Sequence, residues 1–192
     1  YEEALKNLRP LDLIYEQRKF TLSNLTIPGH WGHVAVWLGT KEQLEELGIW
    51  DQPFFEEFRA HIEKGENIIE MRKPGITFKS LKEFLNIDEF AITRIRNIEA
   101  SAQETFYGLH EQLNREYDFR FDALSINRIT CTELITFSYG DLNWKHSKTF
   151  FQVNIRPDDI AMSTAGQNPI GEFVLYVKGS KQGFEFKNKQ QW

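Results

Sequence analysis

The stretch Ile129-Thr130-Cys131-Thr132-Glu133-Leu134-Ile135-Thr136-Phe137 holds the only cysteine of the chain, at the point where a loop turns into an apolar-periodic helix. The first turn of a helix leaves several N–H groups unpaired and carries the positive end of the macrodipole. Both favour thiolate over thiol, and the thiolate is the nucleophile. A free cysteine is more often a small hydrophobe packed into a core. Cys131 therefore needs partners elsewhere in the chain before it reads as reactive.

Upstream of it, Glu99 to Arg115 carries Ala102, Phe106, Leu109 and Leu113 on one stripe, the most regular helical pattern in the sequence. His33-Val34-Ala35-Val36-Trp37-Leu38-Gly39 is the clearest strand, rich in β-formers and bounded by glycine. Leu11 to Tyr15, Asn67 to Met71, Phe90 to Ile95 and Glu172 to Val177 read as further strands. Residues 2–8 read as a short helix stopped by Arg9-Pro10, and Thr77 to Leu85 as a helix with Phe78, Leu81 and Leu85 on one face. The acidic and aromatic segment 40–66 reads as an insertion of one or two short helices packed as a flap. Loops are expected at 18–29, closed by Pro28-Gly29, and at 116–129, where Tyr117-Asp118-Phe119-Arg120-Phe121-Asp122 lead into the cysteine helix. Residues 155–160 read as a turn-rich connection, and the tail from Gly179 as polar and frayed. Helices and mostly local strands about one sheet, without regular βαβ alternation, make an α+β architecture, expected as a single domain over 1–192.

Composition narrows the function classes. The 192 residues suffice for one domain with a sizeable core, and 41% hydrophobic with 27% charged residues is ordinary for a globular chain. A net charge of −5 without a basic cluster argues against a nucleic-acid binder. A single cysteine excludes internal disulfides and cysteine-rich zinc sites. No apolar run approaches the roughly 20 residues needed to span a bilayer. The chain begins at Tyr1 rather than Met, from which a trimmed N-terminal segment is expected. Location in the cell envelope or periplasm, with association to membrane or envelope material, is the corresponding expectation.

A thiol nucleophile needs a base, and the base an orienting partner. Of five histidines, His61 and His110 lie in charged helical surroundings and His146 in a polar loop. His33 opens an apolar strand directly after Gly32, where a ring can look into a cleft from a fixed backbone; a strand-capping histidine fits the same position. Alternation puts it on the face of Ala35 and Trp37. His30 and His33 stand three apart and on an extended chain point to opposite faces, a poor chelating pair unless the chain turns at Gly32; with no cysteine cluster or His-rich partner nearby, no metal is expected. Glu70, within Ile68-Ile69-Glu70-Met71, either faces water by alternation or accepts the second N–H of His33 and fixes its tautomer.

The order His33, Glu70, Cys131 resembles the circularly permuted NlpC-type papain-like amidases (the YaeF/YiiX group) and, more distantly, the lecithin:retinol acyltransferase relatives. Four segments carry the resemblance. Leu11-Asp12-Leu13-Ile14 is similar to the Gly-Asp-Ile-Ile first strand, and Trp31-Gly32-His33-Val34 to Trp-Ser-His-Val. Ile69-Glu70-Met71 with Gly75-Ile76 is similar to the Ile-Glu-Ala strand and its Gly-Val turn; Tyr117-Asp118 ahead of Cys131-Thr132-Glu133 is similar to the Tyr-Asp approach to Cys-Ser-Glu. The chain departs from the pattern at Leu11 (glycine in the family), Gly32 (serine) and Thr130 (aromatic). The resemblance implies a papain-like hydrolase fold in permuted order, with a central, mostly antiparallel sheet and helices packed on it. It also implies Cys131 as nucleophile, His33 as base, Glu70 as orienting acid, no cofactor, and Trp31, Asp12, Tyr117 and Asp118 at substrate-binding positions. The substrates implied are N-acyl amides, peptide links of cell-wall material or lipid-linked acyl groups. Trp31, Trp37, Phe54, Phe55 and Trp144 could build an apolar acyl pocket or simply pack cores. An acyltransferase of the same architecture and a ligand-binding module without turnover remain as alternatives.

Overall fold

Alternating side chains divide every central strand between two cores. In β1 (Leu13–Gln17) and β2 (His33–Trp37), Leu13, Tyr15, Val34 and Val36 face one way, and Ile14, Ala35 and Trp37 the other. The remaining sheet strands are β3 (Ile68–Met71), β4 (Ile76–Lys79), β5 (Glu89–Ile95), and, near the end of the chain, β10 (Gly171–Ser180) and β11 (Gly183–Lys187). They form one seven-stranded sheet in the order β11-β10-β5-β1-β2-β3-β4, antiparallel at every pairing. The computed structural model describes residues 1–18, 29–118, 128–149, 152–180, 183–188 and 190. Of the two long loops expected, residues 19–28 and 119–127, Phe119 to Asp122 among them, lie outside these.

The larger core joins Leu13, Tyr15, Val36 and Ile69 of the sheet to Phe106 and Leu109 of α5 (Ala102–Glu111), Leu134 and Ile135 of α6 (Cys131–Tyr139), and Ile160 of α7 (Pro157–Ala165). The smaller core joins Ile14, Ala35 and Trp37 to Ala4 and Leu8, in and just after α1 (Glu2–Asn7), and to Leu81 and Phe84 of α4 (Leu81–Phe84). Helices α5 and α6 meet at Gly108, where an added Cβ would stand 2.8 Å from Ser138 O and 2.9 Å from its Cα. No helix among the described residues is long and apolar enough to cross a membrane.

The segment 40–66 is not a flap. Its helices α2 (Lys41–Glu46) and α3 (Glu56–Ile62), with a 3-10 turn Pro53–Phe55 between them, bury Leu44, Trp50, Phe55, Phe58 and Ile62 in the larger core. Phe55 meets Phe106 of α5 edge-on at 5.2 Å between ring centres.

Three other expectations give way to local rules. Ile76 to Lys79 pair with β3 as a strand, and the helix begins only at Ser80, whose hydroxyl accepts the Glu83 N–H while the Glu83 carboxylate accepts its own. Residues 155–160 open α7 rather than a turn: Pro157 stands in the first turn, where its missing N–H costs nothing, with Asp158 and Asp159 beside it at the positive helix end. From Gly179 the tail forms the β10–β11 hairpin, which leaves Phe184 and Phe186 exposed at the sheet edge. Small strands β6 (Glu116–Tyr117) and β7 (Arg128–Ile129) pair in parallel ahead of Cys131, and β8 (Ser147–Thr149) pairs with β9 (Gln152–Asn154).

Leu11, where the resembled family carries glycine, has φ +67°. A leucine there bears the left-handed penalty that glycine escapes. Full burial of its side chain and a hydrogen bond from its N–H to Trp37 O at 2.8 Å hold it in place.

Candidate active site

Cys131 is the first residue of α6. Thr130 caps the helix, its hydroxyl accepting the Glu133 N–H at 3.3 Å while Glu133 Oε2 accepts the Thr130 N–H at 2.7 Å. This Thr-x-x-Glu box is legible in the sequence and marks where the helix starts. It leaves the N–H groups of Cys131 and Thr132 in the first turn, where a helix provides them no partner of its own.

The helix lies on the face of the larger core, whereas His33 has the alternation of Ala35 and Trp37. Sulfur and imidazole can meet only at the end of the sheet, and His33 is the residue that opens β2. The ladder between β2 and β3 is short, pairing Val36 with Ile69 and Trp37 with Ile68. The Leu38 N–H goes to Asn67 O on the β3 side, and the two-residue period aims the Val34 N–H the same way. Beyond the last paired residue, the Val34 N–H lies on the side of the Cys131 sulfur and favours its thiolate. The sulfur thus stands where the β2–β3 ladder has stopped.

His33 is buried, and its Nε2 lies 2.8 Å from Glu70 Oε2. That leaves Nδ1 as the ring atom to serve the sulfur, whose charge favours the imidazolium. Glu70 is wholly buried and heavily partnered: Arg72 Nε donates to Oε2 at 2.8 Å, and Lys79 Nζ stands 2.6 Å from Oε1. Arg72 also pairs with Glu16 of β1, whose backbone is opposite His33.

Electrostatics follow from these contacts. Burial pushes the His33 imidazolium down, but the charge and hydrogen bond of Cys131 and the bond to Glu70 outweigh it and the Arg72 charge, raising His33 to about 9. Burial pushes the Cys131 thiol up; the charge and hydrogen bond of His33, the Val34 N–H and the Arg72 charge bring it below its ordinary value. Burial likewise disfavours the Glu70 carboxylate, yet His33, Arg72 and Lys79 hold it well below the usual carboxylate range. The arrangement favours a thiolate beside an imidazolium, with an ionised carboxylate behind the ring.

The other expected positions divide. Tyr117 is half-buried, and the β6–β7 pairing sets it opposite Ile129, two residues before Cys131. Its hydroxyl is raised by burial first and then by the sulfur's charge, so it borders the site. Asp118, 2% exposed, donates its N–H to Ile129 O and braces the cysteine loop from beneath rather than offering an open surface. Trp31 is buried in the larger core, edge-on to His30 and Tyr176 at 4.6 and 5.5 Å.

Asp12 is a correction. It sits at the opposite end of β1 from Glu16, wholly buried, with Arg94 Nε and Nη2 on its two oxygens at 2.8 and 2.7 Å. Its carboxylate is consumed by that pair and by the Arg9 N–H, and cannot meet a substrate at Cys131. Trp37 belongs to the smaller core, Phe55 to the larger, and Trp144 packs on Tyr139 at the far end of α6, so these rings do not form an acyl pocket. A groove of about 290 Å³ lined by Arg9, Gln43, Leu47, Ile98 and Ala102 is also at the Asp12 end, away from the sulfur. Among the described residues, no group of three or more His, Cys, Asp or Glu side chains is arranged to hold a metal ion.

Arg72, Lys79 and Glu16 are the site residues the sequence did not announce. Their relevance depends on which strands are neighbours, and only a charge standing two residues from Glu70 hinted at it.

A family model described as a permuted papain-like amidase enzyme, YaeF/YiiX, matches residues 7–187. Its members are papain-like cysteine hydrolases, and the α+β architecture here, with the histidine strand ahead of the cysteine helix, has that permuted order. A search of curated proteins finds no match. Among solved structures, the crystal structure of the metalloprotein YiiX from Escherichia coli O157:H7 is similar at 14% identity, covering 95% of this chain and 97% of that one with a TM-score of 0.47.

Proposed function

We propose, on the premise that this chain belongs to the permuted papain-like amidases, that it hydrolyses amide bonds through Cys131, His33 and Glu70 by way of a thioester. The observation that carries the reading is the buried His33 ring bonded to Glu70 Oε2 at 2.8 Å and electrostatically coupled to the sulfur at the head of α6.

The Cys131 thiolate attacks the carbonyl carbon, forming a C–S bond while the π pair moves onto oxygen. The N–H groups of the first helical turn and the positive helix end receive that charge; one donor of this kind is worth about 3–4 kcal/mol. Collapse breaks the C–N bond, and the His33 imidazolium gives its proton to the leaving amine. Water then attacks the thioester, His33 taking its proton, and the acid departs as the thiolate re-forms. Glu70 keeps the ring oriented and its charge balanced throughout.

The substrate is proposed as a small amide, peptide or lipid-linked amide. Because Trp31, Trp37, Phe55 and Trp144 lie in the cores, nothing in them favours the lipid over the peptide. Incubating the protein with a panel of N-acyl amides, dipeptides and muropeptides and weighing it by mass spectrometry tests the reading. An acyl adduct on Cys131, absent from Cys131→Ser, is expected for at least one class. Turnover undiminished in Cys131→Ser would refute it, and product appearing only with an added amine or lysolipid acceptor would make the protein an acyltransferase.

A further inference from the structure

The strand order sets Glu16 on β1 and Glu70 on β3 to either side of His33 on β2, and alternation gives all three the same face. Glu16 is 4% exposed and Glu70 fully buried. Two acids in that position would be costly unless paired. Arg72, just beyond β3, crosses the row: its Nε donates to Glu70 Oε2 at 2.8 Å and its Nη2 reaches Glu16 Oε1. The oxygen it holds on Glu70 is the same one that meets His33 Nε2.

We propose that Arg72 is a positioning residue, a strap from Glu70 to Glu16 across the His33 strand that fixes the carboxylate orienting the imidazole. The inference rests on the Cys-His-Glu reading above. The planar fork spans the two acids from two separate nitrogens; a lysine ammonium, a single point of charge, cannot give each acid its own nitrogen. Without the strap, Glu70 Oε2 keeps His33 alone, while Lys79 still draws the carboxylate from the β4 side.

Among the described residues, the charged and titratable groups about the Cys131–His33 pair come from several elements. They are Glu70 and Arg72 at β3, Glu16 and Arg18 at β1, Lys79 on β4, and Tyr117 and Asp118 at β6. Arg72 acts on both members of the pair, favouring the thiolate and opposing the imidazolium. Its removal takes away a charge that favours the thiolate and loosens the carboxylate that favours the imidazolium. Both changes raise the pH at which Cys131 ionises, and in this reading they outweigh the repulsion relieved at the imidazolium. Loss of an ion pair that merely neutralised two buried acids would lower stability and leave that pH where it was.

The test is the pH dependence of Cys131 alkylation by iodoacetamide, which needs no substrate, in wild type, Arg72→Met and Arg72→Lys. Arg72→Met is expected to move the midpoint up by about one pH unit, tenfold in thiolate fraction below it. Arg72→Lys keeps the charge but not the fork, and its midpoint is expected between the two. Midpoints coincident with wild type in both variants would overturn the inference while leaving the Cys-His-Glu reading intact. Should Arg72→Met fail to fold, an unmoved midpoint in Arg72→Lys overturns it alone. A wild-type midpoint at the ordinary thiol value would take down both readings.

Discussion

Replacing His33 by glutamine keeps a polar side chain of similar reach at the mouth of β2 and removes the imidazolium. Carrying His33 from 6.5 to about 9 corresponds to about 3.4 kcal/mol at 1.36 kcal/mol per pH unit. Burial and Arg72 both oppose that rise, so the coupling to the sulfur and Glu70 is at least as large. Protonation coupling is reciprocal, and the part of it shared with the sulfur stabilises the thiolate, the whole being its upper bound. Its loss lowers the thiolate fraction at neutral pH by up to ~300-fold, but a thiolate of higher basicity is also the better nucleophile. With a Brønsted slope of about 0.45, that recovers a little over tenfold. The net expectation for His33→Gln is iodoacetamide alkylation about 20- to 30-fold slower at pH 7. Thiolate ultraviolet absorbance followed against pH should show the midpoint displaced upward by two units or so, with the far-ultraviolet circular dichroism unchanged. A midpoint within about half a unit of the wild-type value would refute the reasoning, because the sulfur would then owe its acidity to the helix end and not to the ring.

Other perturbations read other parts of the structure. Glu70 has its folded pKa depressed below the ordinary 4.5, so its contribution to stability is present above that pH and is lost as pH falls through the folded value. Melting temperatures of Glu70→Gln should therefore fall less steeply than wild type as pH drops from about 6 to about 3. Asp12→Asn leaves the Arg94 guanidinium without its buried partner and should lower urea stability by about 3–5 kcal/mol, with the alkylation rate of Cys131 unchanged because the pair is at the other end of the sheet. Gly108→Ala drives a methyl group into the Ser138 backbone and should cost about 1–3 kcal/mol in the same assay. Thr130→Ala removes the hydroxyl cap of α6 and should cost about 1 kcal/mol, seen as a lower melting temperature.

The sequence made some of this readable and hid the rest for definite reasons. His33 to Trp37 and Ile68 to Met71 are strands in both readings because β-branched residues and glycine or turn boundaries leave little choice. Residues 77–85 misled because Phe78, Leu81 and Leu85 match a helical period, while the Ser80-Glu83 box, which dates the helix start, was the stronger signal. Pro157 with Asp158 and Asp159 announced a helix start in the same way. Asp12 misled because a motif likeness says where a residue stands in the chain, not what it faces: Arg94, on β5, claims it. The Glu16–Arg72–Glu70 row was invisible for a related reason. Register between strands, which sets Glu16 against His33, is a property of the sheet and is not written in any one segment.

The sulfur's place at the unfinished edge of the β2–β3 ladder makes it a clock for folding. Val34 and His33 lie early in the chain, Glu70 in its middle third and Cys131 much later, and their meeting requires β1, β2, β3 and α6 to have docked. A refolding molecule should therefore gain its secondary structure before its thiol becomes acidic. Pulse-labelling with iodoacetamide would time the last step of assembly from a single atom.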